Sequence, residues 1–278
     1  MIDALTPVRA VDVTRVHGGG ADRTSDLIAA EEPLDIRLHG RSFAVIMRTP
    51  GGDRALAAGF LLSERIVRSG EELGAVEHCR HPDNRKAHHV VDVFLRGRAA
   101  SDVHAVLERR RDVIANSSCG VCGRSTIDEL RAHLEPVRFD GRVDLSIVRD
   151  LPSRLRERQA VFDETGGLHG AALAGRDGAI LEAAEDVGRH NAVDKTIGAL
   201  LLDDRLASAA PAVLMVSGRV SFEIVQKAWA AGIPIVAAVS APTSLAIELA
   251  QEAGITLIGF VREHGLNIYS HDARIAGI

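Results

Sequence analysis

Val213-Leu214-Met215-Val216-Ser217-Gly218-Arg219 is the run that decides the fold. Four consecutive apolar residues closed by Ser-Gly describe a short strand buried on both faces, with polar groups where it ends. A helix over 222–231 follows and stops at Gly232, which suits a C-cap. The pattern then repeats. Ile235-Val236-Ala237-Ala238-Val239 is a second apolar strand, 244–253 a second helix, and Ile255-Thr256-Leu257-Ile258-Gly259-Phe260 a third strand. Apolar strands alternating with helices predict a largely parallel sheet covered by helices on both faces.

Upstream, a helix over 152–162 leads to Thr165-Gly166-Gly167-Leu168-His169, and Ala171-Ala172-Leu173-Ala174 continues as a strand or helix. Ile180-Leu181-Glu182-Ala183-Ala184 runs into Glu185-Asp186-Val187-Gly188-Arg189-His190-Asn191 and then a helix through Leu202. The texture nearer the N-terminus differs. Leu34, Ile36 and Leu38 alternate, and Phe43-Ala44-Val45-Ile46-Met47-Arg48 follows His39-Gly40, a β-hairpin pattern halted by Thr49-Pro50-Gly51-Gly52. A short apolar helix over 55–64, a strand over 90–95, and a helix over 101–111 with Val103, Val106 and Leu107 on one face complete a small unit. The expected architecture is therefore α/β: a loosely held polar segment over 1–24, containing Gly18-Gly19-Gly20, a smaller N-terminal α+β domain over 25–125, and a three-layer α/β domain over 126–278.

Composition excludes several classes. With 46% hydrophobic and 26% charged residues in 278, the chain has the balance of a globular protein. Only 3% aromatic residues and a net charge of −5 argue against a nucleic-acid binder. Arg109-Arg110-Arg111 reads as a solvated helix face. Neither a signal peptide nor a membrane span is evident, which leads to the expectation of a cytoplasmic protein without membrane contact. There an odd cysteine count with one close pair reads as reactive or metal-binding chemistry, not a disulfide framework. The pair is Cys119 and Cys122 in Asn116-Ser117-Ser118-Cys119-Gly120-Val121-Cys122-Gly123, and Cys79 stands apart. Flanking glycine and serine leave the sulfurs open to a partner's reactive group, and Ser125 begins a helix whose N-terminus would favour thiolate if it pointed at them.

In open α/β sheets ligands bind outside the carboxyl ends of the strands. Ser217-Gly218-Arg219, Ser240-Ala241-Pro242-Thr243-Ser244 and Arg262-Glu263-His264-Gly265 all follow predicted strands. Arg219 and Arg262 offer forked donors, Ser217 and Ser240 hydroxyls, and Gly218 a close backbone approach, a set suited to a phosphorylated or nucleotide-bearing ligand.

Taken in order, the cysteine run, Thr165-Gly166-Gly167-Leu168-His169, Glu185 to Asn191 with Asp194-Lys195, Ser217-Gly218-Arg219 through Gln226-Lys227, Val239 to Thr243, and Gly259-Phe260-Val261-Arg262 with Asn267 and Tyr269 resemble the formate dehydrogenase accessory sulfurtransferase family, FdhD. The resemblance implies a sulfurtransferase that accepts sulfur from a cysteine desulfurase as a persulfide on Cys119, with Cys122 assisting or resolving. The acceptor it implies is the molybdenum cofactor in its bis(molybdopterin guanine dinucleotide) form, destined for formate dehydrogenase. It further implies a cytidine-deaminase-like C-terminal domain, a homodimer, and a cofactor-binding stretch at Phe260, Val261, Arg262, Glu263, His264 and Gly265. His264 and Gly265 stand where a glycine and a basic residue are expected, and Arg65 replaces a glycine. On this reading Arg189, Lys195, Arg219 and Arg262 hold a pyrophosphate, Asp186 or Asn191 reads hydrogen-bonding edges, and His169 and His190 move protons or cap strands. No resident metal is expected.

Three rivals remain in view. A zinc site at the cysteines lacks a second ligand pair unless His169 or His190 joins it. A zinc deaminase lacks its glutamate, since His169-Gly170-Ala171 stands where H-x-E is needed. A non-catalytic chaperone would hold the cofactor or the dehydrogenase and use the cysteine pair for redox sensing or zinc. Only the sulfur carrier makes Cys119 alone indispensable for sulfur loading.

Overall fold

A computed structural model describes residues 6–79, 87–110 and 135–278, the side chains of Arg109 and Arg110 excepted. Cys119, Cys122 and the helix expected from Ser125 lie outside the described residues. The described strands are β1 (Val8–His17), β2 (Gly20–Ala29), β3 (Glu32–Leu38), β4 (Arg41–Arg48), β5 (Leu73–His78), β6 (Val90–Leu95), β7 (Val143–Asp144), β8 (His169–Ala174), β9 (Ile180–Asp186), β10 (Val213–Val216), β11 (Ile235–Ala238), β12 (Thr256–Arg262), β13 (Gly265–Ser270) and β14 (Ile275–Ala276). The helices are α1 (Asp53–Ser63), α2 (Gly97–Arg110), α3 (Leu145–Arg156), α4 (Ala160–Thr165), α5 (Arg189–Leu202), α6 (Leu206–Ala209), α7 (Phe222–Ala230) and α8 (Ser244–Glu252). Among the described residues no helix is long and apolar enough to cross a membrane.

The larger sheet has the order β13-β12-β11-β10-β8-β9. Its strands alternate their burial. Leu214, Val216, Val236 and Ala238 pack with Val193, Ile197, Ile224 and Leu249 of the helices on one face. Val213, Met215, Ile235 and Ala237 pack with Val148, Leu151 and Leu155 of α3 on the other. Two-sided burial is why these strands are apolar at every position. The expectation of a largely parallel sheet is corrected to a mixed one: β10-β11-β12 run parallel, but β8, β9 and β13 pair antiparallel. The connections explain it. The β8–β9 turn closes through Gly175 N–H to Ala179 O at 2.9 Å with Gly178 at φ 78°, and Arg262 pairs directly with Gly265 across the β12–β13 turn. Such short links join only antiparallel strands.

Two further expectations change. The described part of the segment over 1–24 has more regular structure than its composition suggests: β1 and β2 form an antiparallel ribbon in unbroken register from Val8↔Ala29 to His17↔Gly20. Its faces are mostly exposed, so its composition is polar and gives no buried alternation to read. The helix expected over 152–162 is two helices. Asp144 starts α3 early by accepting from Ser146 N–H at 2.8 Å, Pro152 lies inside it, and the chain leaves helical geometry at Gln159 (φ −104°, ψ 61°) before α4.

The smaller sheet has the order β4-β3-β6-β5. It buries Leu34, Ile36 and Leu38 together with Leu56, Leu61 and Leu62 of α1, and the same apolar cluster continues through α5 into the larger sheet. Behind it Arg48, fully buried, meets both oxygens of Asp53 at 2.9 Å. Helices α1 and α5 touch backbone to backbone. A Cβ on Gly59 would fall 1.9 Å from Asp194 O, and one on Gly198 1.8 Å from Ala55 O. Neither neighbour can yield, because both are main-chain atoms.

Gly198→Ala is therefore expected to lower stability by about 1–3 kcal/mol or more through overpacking, despite alanine's better helix propensity. Gly18→Ala, with open space around it, should stay within roughly 0.5 kcal/mol of the parent. Urea unfolding of the two variants checks this, and equal midpoints would contradict the close contact.

Candidate functional site

Because β8 runs against β10, its first residue, His169, lies beside the carboxyl end of β10. Two hydrogen bonds fix that junction: Ser217 N–H donates to Gly170 O at 3.0 Å, and Gly170 N–H donates to Ser217 Oγ at 2.9 Å. Gly218 passes directly over the imidazole, since a Cβ there would lie 3.2 Å from His169 Nδ1 and 3.7 Å from Arg189 Cδ. Arg189 opens α5, and its Nε is buried without a hydrogen-bond partner among the described residues. His190 follows, with Nε2 3.1 Å from Ser221 Oγ and 3.7 Å from Glu223 at the start of α7.

The loops after the three parallel strands are laced together. Val220 N–H donates to Ala241 O at 3.1 Å, Thr243 N–H to Val220 O at 2.9 Å, and Phe260 N–H to Ser240 O at 3.2 Å. Phe260 sits at a β-bulge with φ 54°, a conformation that costs a bulky residue roughly 1–3 kcal/mol. Its ring is exposed, while Val261 turns into the core. Arg262 donates from Nη1 to Val239 O and to Val261 O. Glu263 and His264 are exposed at the turn before Gly265.

A cleft of about 530 Å³ opens where these strand ends meet α3 and α4. His169, Ser217, Val239 and residues 166–168 line one side, and Leu155, Arg156, Gln159 and Phe162 the other. The second set was not legible in sequence. They come to one wall through the break between α3 and α4, which no residue type announces. Arg156 lies over the Phe162 ring at 4.3 Å and pairs with Asp163.

Thus His169, Arg189, His190, Ser217, Gly218 and Arg219 come together. Asp186 stands directly across from His169 in the β8–β9 pairing, but its carboxylate is bonded to Lys195 and to the 47–52 loop. Lys195 Nζ stands 2.7 Å from Asp186 and donates to Thr49 O at 2.9 Å and Glu185 O at 3.2 Å. Asp186 also accepts from Thr49 N–H, Gly188 N–H and Asn191 Nδ2, and Asn191 donates onward to Met47 O. These three polar residues bind the 47–52 loop to α5. Lys195 borders a separate hollow of about 310 Å³ that Gly51 and Gly52 also line.

Both histidines are held neutral. Burial lowers the His169 pKa, and the charges of Arg189 and Arg219 push it further down against Asp186. Burial, then Lys227 and Arg189, push His190 down to about 4 against the pull of Glu223. The two imidazoles accordingly add no positive charge to that of Arg189 and Arg219 beside them.

Fold and site together define an α/β protein with a mixed central sheet and a cleft at its strand ends, with Arg156 in its wall and Arg189 beside His169. The chain belongs to the FdhD/NarQ family, whose model matches residues 29–276. It is 48% identical over 278 residues to the sulfur carrier protein FdhD of Anaeromyxobacter dehalogenans (strain 2CP-C), covering 98% of this chain and 96% of that one. It is 45% identical over 271 residues to the protein of the same description from Saccharolobus solfataricus, covering 96% of this chain and 98% of that one. A solved chain from Desulfotalea psychrophila, described as a formate dehydrogenase accessory protein, shares the fold with a TM-score of 0.76 at 24% identity, covering 97% of this chain and all of that one.

The half-buried His190 has a consequence for stability. Its folded pKa of about 4 lies below the ordinary 6.5, so the unfolded chain binds more protons between those values. Stability contributed by His190 is complete above the upper value and is lost as pH falls toward the lower. Urea unfolding at about pH 7, 5.5 and 4.5 should show a shallower acid loss for His190→Gln than for the parent. Parallel curves would mean that His190 titrates as an exposed imidazole.

Proposed function

We propose that this chain is a sulfur carrier that takes sulfur from a cysteine desulfurase on Cys119 and delivers it to the bis(molybdopterin guanine dinucleotide) form of the molybdenum cofactor for formate dehydrogenase. The observation that carries this reading is the convergence of Arg189, with its unpartnered buried Nε, on Gly218 and His169 beside a ligand-sized cleft. A pyrophosphate-bearing cargo needs such donors, and close backbone approach at Gly218 suits it. Membership of a family with relatives named sulfur carrier proteins supports the chemistry. The cysteine pair supplies the only two closely spaced thiols of the chain.

The transfer balances without an external oxidant. The Cys119 thiolate attacks the outer sulfur of the donor's persulfide, the donor S–S bond breaks, and the donor leaves as thiolate while a persulfide forms on Cys119. For delivery, the Cys122 thiolate attacks the inner sulfur of Cys119. The outer sulfur leaves at the sulfide level to the cargo, and the two cysteines remain as a disulfide that a cellular dithiol reduces. Arg189, Arg219 and Arg262 orient the cargo, and the neutral imidazole of His169 accepts or returns a proton at the cleft mouth. The order β9-β8-β10-β11-β12, with β8 antiparallel to β10, supports a cytidine-deaminase-like reading of the C-terminal half. We place the carrier in the cytoplasm, where thiols stay reduced, as a homodimer.

Intact-mass measurement after incubation with an active desulfurase and cysteine tests the carrier. The expected result is a gain of one sulfur in wild type that reductant removes and that Cys119→Ala lacks, while Cys122→Ala still loads. No gain in wild type would favour the chaperone. Separately, Arg219→Ala should weaken GDP binding by about tenfold or more, the loss of one charge-assisted contact, with sulfur loading intact. An unchanged titration would remove Arg219 from the ligand site.

A further inference from the structure

On the opposite half of the molecule, strand register assembles a second set of chemistry-bearing side chains. Strand β3 begins at Glu32, and β6 pairs parallel to it from Asp35↔Val90. The single 3-10 turn before β6, Ala87–His89, is thereby brought alongside the start of β3. A Glu32 carboxylate oxygen and one ring nitrogen each from His88 and His89 lie within 4.8 Å of one another. His89 Nδ1 is 3.5 Å from Glu32 Oε2, and the two rings stand 4.0 Å apart at 53°.

We propose that Glu32, His88 and His89 bind a divalent transition-metal ion of the zinc class, independently of the cysteine pair. Zinc bonds of about 2.0–2.1 Å in tetrahedral geometry put neighbouring ligand atoms about 3.4 Å apart, close to the His89–Glu32 separation. Modest rotation of His88 closes the rest. A second observation points the same way: His89 Nδ1 is buried and has no hydrogen-bond partner among the described residues. A buried polar atom left unpaired is unfavourable, and a metal bond satisfies it. Two imidazoles with one carboxylate suit zinc or cobalt and not the all-oxygen preference of calcium or magnesium, and three protein ligands leave a fourth position open to water.

The surrounding charges permit it. Arg48 commits two nitrogens to Asp53 and reaches Glu32 only at 3.4 Å. Arg9, which also pairs with Glu32, is 57% exposed and can turn into water when a cation arrives. Nearby, His78 faces Asp53 at 3.8 Å and completes the polar surroundings.

The test uses the full chain carrying Cys119→Ala and Cys122→Ala, titrated with Co²⁺ as a spectroscopic probe and then with Zn²⁺ in competition. One equivalent of cobalt is expected, with visible d–d absorption, no sulfur-to-cobalt charge-transfer band, and displacement by zinc. Adding His88→Ala or His89→Ala should weaken binding by more than the roughly 10–100-fold lost when an outer-shell partner is removed. Far-UV circular dichroism and metal-free melting verify that the variants fold, and Glu32→Gln serves as a third variant that keeps a hydrogen-bonding oxygen for Arg48. Absence of d–d absorption, a thiolate charge-transfer band, or unchanged affinity in a folded His89→Ala protein would overturn the proposal. Because Cys119 and Cys122 are already replaced, failure here says nothing against sulfur loading, and failure of sulfur loading says nothing against this site.

Discussion

Contact between two helix backbones at Gly59 and Gly198 is the constraint on which the rest of the arrangement depends. With any side chain at either position α1 and α5 would have to separate, since the atoms opposite are carbonyl oxygens and a main-chain nitrogen. At this separation Ser63 at the end of α1 reaches Asp194 of α5 at 2.8 Å, and Asp194 in turn takes Lys227 of α7 at 2.7 and 2.9 Å. The next residue, Lys195, reaches back to Thr49 O. The smaller sheet, the α5 layer and the loop over 47–52 are thus locked by one close approach. The site inherits that precision, because Arg189 and His190 are the first residues of the same helix.

Three buried ion pairs recur along this seam: Arg48 with Asp53, Lys195 with Asp186, and Lys227 with Asp194. Buried pairs are weak sources of net stability, because desolvation offsets most of the attraction. Their effect here is positional. Asp194 shows the balance: burial pushes its carboxyl up, while Lys227 and Ser63 pull it down. Each pair forms in one relative placement of its elements, and a slipped α1–α5 packing would strand several charges at once. Close glycine contact supplies dispersion and fit, and the charges exclude the alternatives.

How much of this was legible follows from the same physics. Runs such as Val213-Leu214-Met215-Val216 identify strands because both faces are buried, and the Ser-Gly and Gly232 punctuation set their ends. The β1–β2 ribbon was invisible because an exposed ribbon has no apolar face; the pattern over 171–174 fits strand or helix alike, β9 and β13 carry no clear strand signature, and strand direction lies in the connection. At the site, His169, Ser217, Gly218 and Arg219 were found from their place after or before strands. Asp186 and Lys195 looked identical in kind, yet they meet each other and the 47–52 loop. A sequence shows which residues carry charge, and only the fold shows which of those charges are already satisfied. Glu32 and His89 illustrate the converse: 57 residues apart in sequence, they are made neighbours by a parallel β3–β6 register that no local pattern encodes.

On the proposed function, the neutral histidines divide the labour of the site. Arginine stays charged across the accessible pH range, so a cleft whose imidazoles add no positive charge to that of Arg189 and Arg219 holds an anionic cargo with an affinity that does not follow proton concentration. Had His169 and His190 titrated near their ordinary value, cargo binding would tighten as pH fell, while the thiolate needed for sulfur exchange would become scarcer. Binding and transfer would then favour opposite conditions. Burial and the adjacent guanidiniums remove that conflict by depressing both imidazoles, and the pH dependence of sulfur transfer is left to the thiols themselves.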